Sequence, residues 1–216
     1  MSLDLVNSTV VIAAGQFNPS IIREYWLIEN GIMQPEDFRS GCVFTDMMVQ
    51  VKSRQFDLAV VPGQCQISPH VPIEEQQQLI EEKAGEIVNK LPHTPFTAIG
   101  LNFHWHLIPD HKNIEALTRS LFFVNQNPFY EAFDFEDARF GSYLSKDFNN
   151  FRMKLDVKPA LMEGQKEPFL HFGFNFHFDV PKEQSVDAIQ NALRQWDIAR
   201  EESTRISAIA AEGDRP

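Results

Sequence analysis

The sequence predicts an α+β fold: a mainly antiparallel sheet with helices packed on one face, built from two related halves. Three observations support this prediction. The pattern P-F-x-x-x-G-x-N-F-H occurs twice, at residues 95–104 and 168–177. Residues 151–158 alternate between apolar and polar side chains, as a strand with one solvated face does. Residues 73–91 instead place apolar side chains at helical spacing.

The N-terminal third is predicted to contain one helix among several strands. The helix is expected at residues 21–29, because Asn30 and Gly31 form a typical helix-ending pair. Pro62 and Gly63 end one of the strands. The predicted strands are residues 8–16, 43–52, 55–61 and 64–68.

The middle of the chain is predicted to contain a long helix, the first copy of the repeat and a short helix. The long helix at residues 73–91 has Pro72 at its start and glutamates opposite its apolar face, which includes Ile80, Ala84 and Ile87. The repeat copy predicts a strand at residues 96–108. A short helix follows, with Asn113 as its candidate N-cap.

Phenylalanine is unusually frequent, with 19 residues against 3 tyrosines and 3 tryptophans. Because a phenyl ring has no polar group, most of these rings are expected in the core. Residues 125–137 show no helical or strand periodicity and predict a loop. We expect this loop to be packed down by Phe129, Phe133 and Phe135.

The C-terminal part is predicted to repeat the order of two strands, a repeat strand and a helix. The predicted elements are strands at residues 138–146, 151–160 and 168–180, a turn at residues 163–166, and a last helix from Lys182 to about residue 211.

One domain is expected to hold both halves. Residues 1–203 form this single α+β domain, with the halves at residues 43–123 and 138–203. Residues 204–216 are predicted to be a C-terminal extension, helical or frayed, because small residues and Gly213 follow the last apolar stripe.

Composition restricts the functional classes. The net charge of −11 would repel a phosphate backbone, and no basic stripe offsets it, so no nucleic-acid partner is expected. Cys42 and Cys65 have no disulfide or metal-binding spacing, which is typical of reduced thiols. The apolar run from Val10 to Ala14 is too short to cross a bilayer. We therefore predict an acidic cytoplasmic protein without a membrane partner.

The polar face of the two repeat strands is the strongest candidate site. Histidine and carboxylate side chains at alternate strand positions point to one side and can bind a divalent ion such as zinc. The repeat glycines lie on this face in mid-strand, where glycine is costly unless another group approaches the backbone or the strand bends. The candidate ligand or surface residues are Asn102, His104, His106, His171, Asn175, His177 and Asp179, and the candidate metal ligands are His104, His106, His177 and Asp179.

Other patterns favour structural roles over catalysis. Neither cysteine lies in a sequence typical of a nucleophile. The glutamates of the helix at residues 73–91 are expected to form a solvated helix face. The turn at Gly15 lacks the further glycines and the lysine of a phosphate-binding loop.

Two functional hypotheses from different classes remain. The leading one is a non-enzymatic assembly or partner-binding protein: a homo-oligomer, or a subunit of a cytoplasmic complex, with no cofactor. It depends on the internal repeat, the long C-terminal helix and the lack of a compact catalytic motif. The alternative is a metal- or small-molecule-dependent enzyme with its site on the His/Asn/Asp face. Histidine suits such a site, because it transfers protons near neutral pH.

Overall fold

The structure is a computed structural model that describes residues 2–162, 164 and 167–214. The turn predicted at residues 163–166 lies outside the described residues, apart from Gly164. The strands are β1 (Ser2–Ala14), β2 (Val43–Phe44), β3 (Val49–Lys52), β4 (Phe56–Val61), β5 (Gln64–Pro69), β6 (Phe96–Ile108), β7 (Ser142–Phe148), β8 (Phe151–Ala160) and β9 (Phe169–Asp179). The helices are α1 (Glu24–Glu29), α2 (Ile73–Lys90), α3 (Ile114–Phe122), α4 (Pro128–Glu131), α5 (Ser185–Leu193) and α6 (Trp196–Gly213), with a short 3-10 helix at Pro35–Asp37. None of the described helices is both long and apolar enough to cross a lipid bilayer.

The strands form one sheet with the order β2-β3-β4-β5-β1-β6-β9-β8-β7. The pairs β2–β3, β3–β4, β4–β5, β5–β1 and β7–β8 are antiparallel. The predicted α+β class with an antiparallel sheet is therefore confirmed. The two strands that carry the repeat, β6 and β9, are adjacent in this order.

The chain divides into two compact units. The first unit comprises the described residues of Met1–Asn7, Phe103–Asn175 and Arg200–Pro216. The second unit comprises Ser8–Asn102 and Phe176–Ala199. Each unit buries its own set of apolar side chains.

In the second unit, helix α2 meets helix α5 at Gly85. The Gln190 side chain on α5 donates from Nε2 to the Gly85 carbonyl oxygen at 3.0 Å. A Cβ atom at position 85 would lie 2.8 Å from Gln190 Oε1, so glycine leaves the room that this amide needs. Ile80, Ala84 and Ile87 on α2 are buried as predicted.

In the first unit, helix α6 packs through small side chains. The indole Nε1 of Trp105 on β6 donates to Ser203 Oγ at 2.9 Å. Strand β8 alternates as predicted, with Phe151, Met153, Leu155 and Val157 buried. The buried positions of α6 in this unit are Ser203, Ser207, Ala210 and Ala211.

Asp214 anchors the C-terminal end of α6. Its side chain is buried, with 1% of the residue surface exposed. Its Oδ2 accepts from the N–H groups of Asp110 at 2.9 Å and His111 at 3.4 Å, and its Oδ1 accepts from the N–H of Lys112 at 2.9 Å. These bonds compensate the carboxylate for its lost hydration. The end of the chain that the structure describes is therefore tied to the loop between β6 and α3.

Two predicted elements are each divided in the structure. The strand predicted at residues 43–52 is interrupted because Thr45 Oγ1 accepts the N–H of Met48 at 2.9 Å and stabilises a turn. The last predicted helix is divided into α5 and α6. Between them, the Gln195 N–H bonds to the carbonyl of Ala192, three residues earlier. This bond has the 3-10 pattern instead of the α-helical one, and it interrupts the helix.

The prediction for residues 125–137, named here the aromatic segment, is wrong in its packing. Phe129, Phe133 and Phe135 are 72%, 55% and 67% exposed instead of buried. The segment contains the single turn of helix α4, and Tyr130 of that turn takes the inward position. Its ring contacts those of Phe123 and Phe140, both at centroid distances of 6.0 Å. One helical turn directs only one of two neighbouring rings inward, so Phe129 points away.

Replacing Asp214 with alanine is expected to lower the free energy of unfolding by about 2 kcal/mol, because backbone N–H groups lose their acceptor inside the protein. Urea unfolding followed by circular dichroism measures the change. The control Glu201→Ala removes an exposed carboxylate from the same helix and should change stability by less than about 0.5 kcal/mol. Equal stability of the two variants would contradict the anchoring role of Asp214.

Candidate functional site

Strand β6 presents core residues on one side and histidines on the other. Leu101, Phe103 and Leu107 are fully buried, whereas His104 and His106 are half-buried. The predicted alternation of these residues is thus observed. Strand β9 alternates in the same way, with buried Phe172, Phe174 and Phe176 and half-buried His171, Gly173 and Asn175.

Three of the predicted histidines meet on the half-buried side of the first unit. His104 Nδ1 lies 3.4 Å from His171 Nε2, and the two rings are stacked with a centroid distance of 5.3 Å. His106 meets His171 edge-on, also at a centroid distance of 5.3 Å. We name these three residues the imidazole cluster. Its contacts join a strand from each copy of the repeat.

Gly173 lies next to the two stacked rings. A Cβ atom at position 173 would lie 3.4 Å from His171 Nε2 and 3.7 Å from His104 Nδ1. The sequence left two explanations open for a mid-strand glycine, a close approach to its backbone or a bend of the strand, and at Gly173 the two imidazoles lie beside the backbone.

The environment favours the neutral form of all three imidazoles. Burial lowers the pKa of His104, and the Lys158 ammonium lowers it further. Burial and then the neighbouring His104 lower the pKa of His106. The pKa of His171 falls to about 4, because burial, the other two imidazoles and Lys158 together outweigh the opposing effect of Asp156. At neutral pH the cluster therefore offers unprotonated nitrogens, which can accept a proton or bind a metal.

The other predicted site residues make separate contacts. Asn102 Nδ2 donates to Thr9 Oγ1 at 3.2 Å. His177 Nε2 lies 3.0 Å from Asp179 Oδ1. Asn102, His177 and Asp179 belong to the second unit, whereas Asn175 belongs to the first.

The four predicted metal ligands are therefore divided, with His104 and His106 in the first unit and His177 and Asp179 in the second. Among the residues that the structure describes, no three His, Cys, Asp or Glu side chains are placed to hold one metal ion. His171, which was predicted only as a ligand or surface residue, has the closest contact with His104.

Sequence reasoning missed four groups that shape the cluster. The Phe169 ring lies against His106 at a centroid distance of 4.0 Å. Lys158, Asp156 and Asp4 act on the imidazoles by charge. The alternation of β8 indicated that Lys158 and Asp156 share the solvated face. A turn was predicted between these consecutive strands, β8 and β9, but no pattern indicated the register that brings Lys158 and Asp156 close to His171.

The aromatic segment forms a second candidate site in the first unit. The Phe129 and Phe133 rings contact each other with a centroid distance of 5.8 Å, and Phe135 is also exposed. All the exposed phenylalanines of the described chain lie in this segment. Contiguous exposed apolar surface of this kind marks an interaction site more often than isolated residues do.

Arg119 holds the aromatic segment in place. Its guanidinium donates to Asp134 Oδ1 at 2.6 Å and to the Phe135 carbonyl oxygen at 2.7 Å. It also lies over the rings of Phe123 and Phe140, at 4.8 Å and 5.3 Å from their centroids. The exposure of the three phenyl rings therefore belongs to a segment with fixed anchor points.

The same segment is acidic. Glu131, Glu136 and Asp137 make no ion pair with any residue in the described part of the chain. The edge strand β7 is exposed on both faces, with Tyr143 at 66% and Leu144 at 53%. An exposed edge strand has backbone groups available for pairing with another strand.

The cysteines have structural surroundings. Burial raises the pKa of Cys65 to about 12, so its thiol stays protonated at neutral pH. Cys42 Sγ donates to the Arg39 carbonyl oxygen at 3.2 Å. These contacts agree with the predicted structural role of both residues.

No known protein-family model matches the chain, and no curated protein sequence shows significant similarity to it.

The stability of the protein is expected to fall between pH 6.5 and pH 4 because of His171. Above about pH 6.5 the ring is neutral in the folded and the unfolded chain, so it has no effect on stability. As the pH falls toward 4, the unfolded chain binds a proton that the folded chain does not bind, and the free energy of unfolding decreases. Because the ring is partly exposed and screened by solvent, we expect a loss of about 1 to 2 kcal/mol.

Urea unfolding of the wild type and of His171→Gln, measured between pH 4 and pH 7.5, tests this expectation. The stability of the variant should depend less on pH over this range. Parallel pH profiles for the two proteins would show that His171 is protonated equally in both states.

Proposed function

We propose that the protein is a non-enzymatic assembly protein, which forms a homo-oligomer or a subunit of a cytoplasmic complex. The observation that carries the proposal is the outward position of Phe129, Phe133 and Phe135 on an anchored segment. Burying three phenyl rings against a partner would stabilise the complex substantially, since aromatic side chains dominate the energetics of interfaces.

The partner in this proposal is a second copy of the chain. Charge complementarity within the first unit supports this choice. The acidic side chains of the aromatic segment complement Lys154 on the polar face of β8, which makes no ion pair with any described residue, whereas Arg152 and Lys158 on that face already pair with Asp147 and Asp156. A two-fold dimer allows each copy to place its aromatic segment on the β8 face of the other. The exposed strand β7 pairs with β8, and Tyr143, which lies opposite Asp156, adds an exposed aromatic side chain to this face.

The proposal also includes the detailed fold prediction from the sequence, namely one domain built from two related halves, with the helices on one face of the sheet. The burial of equivalent repeat positions supports common packing. Leu101 and Phe103 in the first copy and Phe174 and Phe176 in the second are all at most 1% exposed. The polar positions differ, because His104 contacts His171 whereas its counterpart His177 contacts Asp179. A duplication would therefore explain the shared core packing of the two copies, but it would not explain the different contacts of His104 and His177.

Replacing Phe129, Phe133 and Phe135 together with serine is expected to weaken self-association at least about a hundredfold, because the apolar centre of the interface is lost. Light scattering and sedimentation over a range of concentrations measure this change. The fold should be retained, since exposed side chains contribute little to stability. The control variant replaces the exposed Val6, Met47 and Ile73 with serine and should associate as the wild type does.

Charge-reversal variants distinguish self-association from binding to a different protein. Lys154→Glu should weaken self-association, and adding Glu136→Lys to the same chain should restore it, because each interface then contains the exchanged pair. Higher salt should weaken the wild-type complex. A wild-type protein that stays monomeric at every concentration would overturn the proposal.

A second candidate function is a metal- or small-molecule-dependent enzyme that uses the imidazole cluster. The favouring observation is the 3.4 Å distance between His104 Nδ1 and His171 Nε2. Two imidazole nitrogens that share a tetrahedral zinc ion at about 2.0–2.1 Å lie roughly 3.4 Å apart. His106 and the space beside Gly173 are adjacent to this pair. His177 and Asp179, predicted as metal ligands, remain candidates in the second unit.

Metal analysis of the purified protein tests this candidate. If this cluster binds zinc, the metal should be lost in His104→Ala and in His171→Ala and retained in His177→Ala, whose ring pairs with Asp179. Gly173→Ala keeps every histidine and adds a methyl group in ordinary van der Waals contact with the His171 ring, so it serves as a matched control and should retain the metal. Identical metal content in all five proteins would contradict a site at the imidazole cluster.

A further inference from the structure

The second unit contains an open cleft of about 410 Å³, which lies within the range of small-molecule sites. Its walls come from the segment after β1, from helix α1, and from the end of α2 with the loop that leads to β6. The walls are tied together where the Gly15 N–H bonds to the Pro95 carbonyl oxygen at 2.9 Å. The Phe17 and Phe96 rings also contact each other there, with a centroid distance of 5.8 Å. The cleft is thus formed by fixed backbone segments.

Apolar side chains make up one part of the cleft. Ile21, Leu91 and Pro95 line it together with the indole of Trp26. Trp26 is half-buried, whereas Trp105 and Trp196 are only 6% and 0% exposed. An indole that is partly exposed in a cleft offers its face for stacking by a planar ring.

Polar groups at the same cleft are left unused by the fold. The side chains of Gln16, Lys90 and His93 make no hydrogen bond or ion pair with any residue that the structure describes. Other lysines have such partners, as Lys52 has in Asp57 at 2.7 Å.

The charge of the cleft differs from that of the chain as a whole. Its lining residues include no carboxylate, although the chain carries a net charge of −11. The Lys90 ammonium therefore gives the cleft a local positive charge in an otherwise acidic protein, and this charge favours the binding of an anion.

We propose that this cleft binds a small planar anion, namely an aromatic ring that carries a carboxylate or phosphate group. The ring stacks on Trp26 against Ile21 and Leu91, and the anionic group meets the Lys90 ammonium beside His93. The Gln16 amide hydrogen-bonds a polar atom at the edge of the ring. A ligand of roughly 10 to 25 non-hydrogen atoms fits a cleft of this size.

Isothermal titration calorimetry with defined probes tests the proposal. Salicylate supplies a ring with a carboxylate, and adenosine monophosphate supplies a ring with a phosphate. Benzyl alcohol has a ring without charge, and inorganic phosphate has charge without a ring. We expect saturable binding of at least one of the two ring anions, at least about tenfold tighter than either control probe. Binding should also change the tryptophan fluorescence, because Trp26 is the most exposed of the three indoles.

Lys90→Gln should weaken binding at least about tenfold, whereas Lys83→Gln on the same helix and outside the cleft should leave it unchanged. Trp26→Leu should abolish both the binding and the fluorescence change. Preference for salicylate assigns the site to aromatic carboxylates, and preference for adenosine monophosphate assigns it to aromatic phosphates. Binding of neither ring anion, equal binding of either control probe, or insensitivity to Lys90→Gln would each overturn the proposal.

Discussion

The alternation of side chains along the adjacent strands β6 and β9 is the constraint on which the rest of this protein depends. Successive residues point to opposite faces, so Phe103 and Phe174 enter the core of the first unit while His104 and His171 stay half-exposed. A shift of one residue in either strand would bury histidines and expose phenylalanines. The apolar core therefore fixes the register, and the register brings the imidazoles together. The core residues and the candidate-site residues therefore lie on opposite faces of the same strands.

Polar interactions position helix α6 in the first unit. The buried side chains of its part in this unit are serines and alanines, so this part has little apolar volume with which to fill a core. The hydrogen bond from Trp105 to Ser203 and the three backbone bonds to Asp214 define how far along its axis the helix sits. Hydrogen bonds are directional, whereas contacts between small apolar side chains allow a helix to slide. The helix is thus part of the first unit up to its last described turn.

The candidate surfaces of this protein differ in physical character. The aromatic segment is apolar and acidic, which suits a large complementary surface. The imidazole cluster offers neutral nitrogens within a few ångströms of each other, which suits a proton or a metal ion. The cleft combines an indole with an ammonium group, which suits a small planar anion. Assembly and ligand binding can coexist here, because the aromatic segment and the cleft use different residues.

By itself, the sequence determined the features that depend on local periodicity. Strand β6 has the predicted bounds, helix α2 differs by one residue at its end, and β8 alternates as expected. The polar side of each repeat strand was also predicted, since residues 104 and 171 lie on the half-buried side of their strands, but the sequence left open whether the two strands are neighbours. These properties follow from backbone geometry, which repeats every two residues in a strand and every 3.6 in a helix.

Only the tertiary structure decided which groups become neighbours. It placed His171, rather than His177, beside His104, and Lys158 and Asp156 close enough to shift the pKa values of the imidazoles. It also turned Tyr130 inward and left Phe129 exposed, although the two aromatic residues are adjacent and similar in sequence terms. The physical reason is that strand order and the packing of a single helical turn depend on contacts between residues far apart in the chain. Local periodicity carries no information about those contacts.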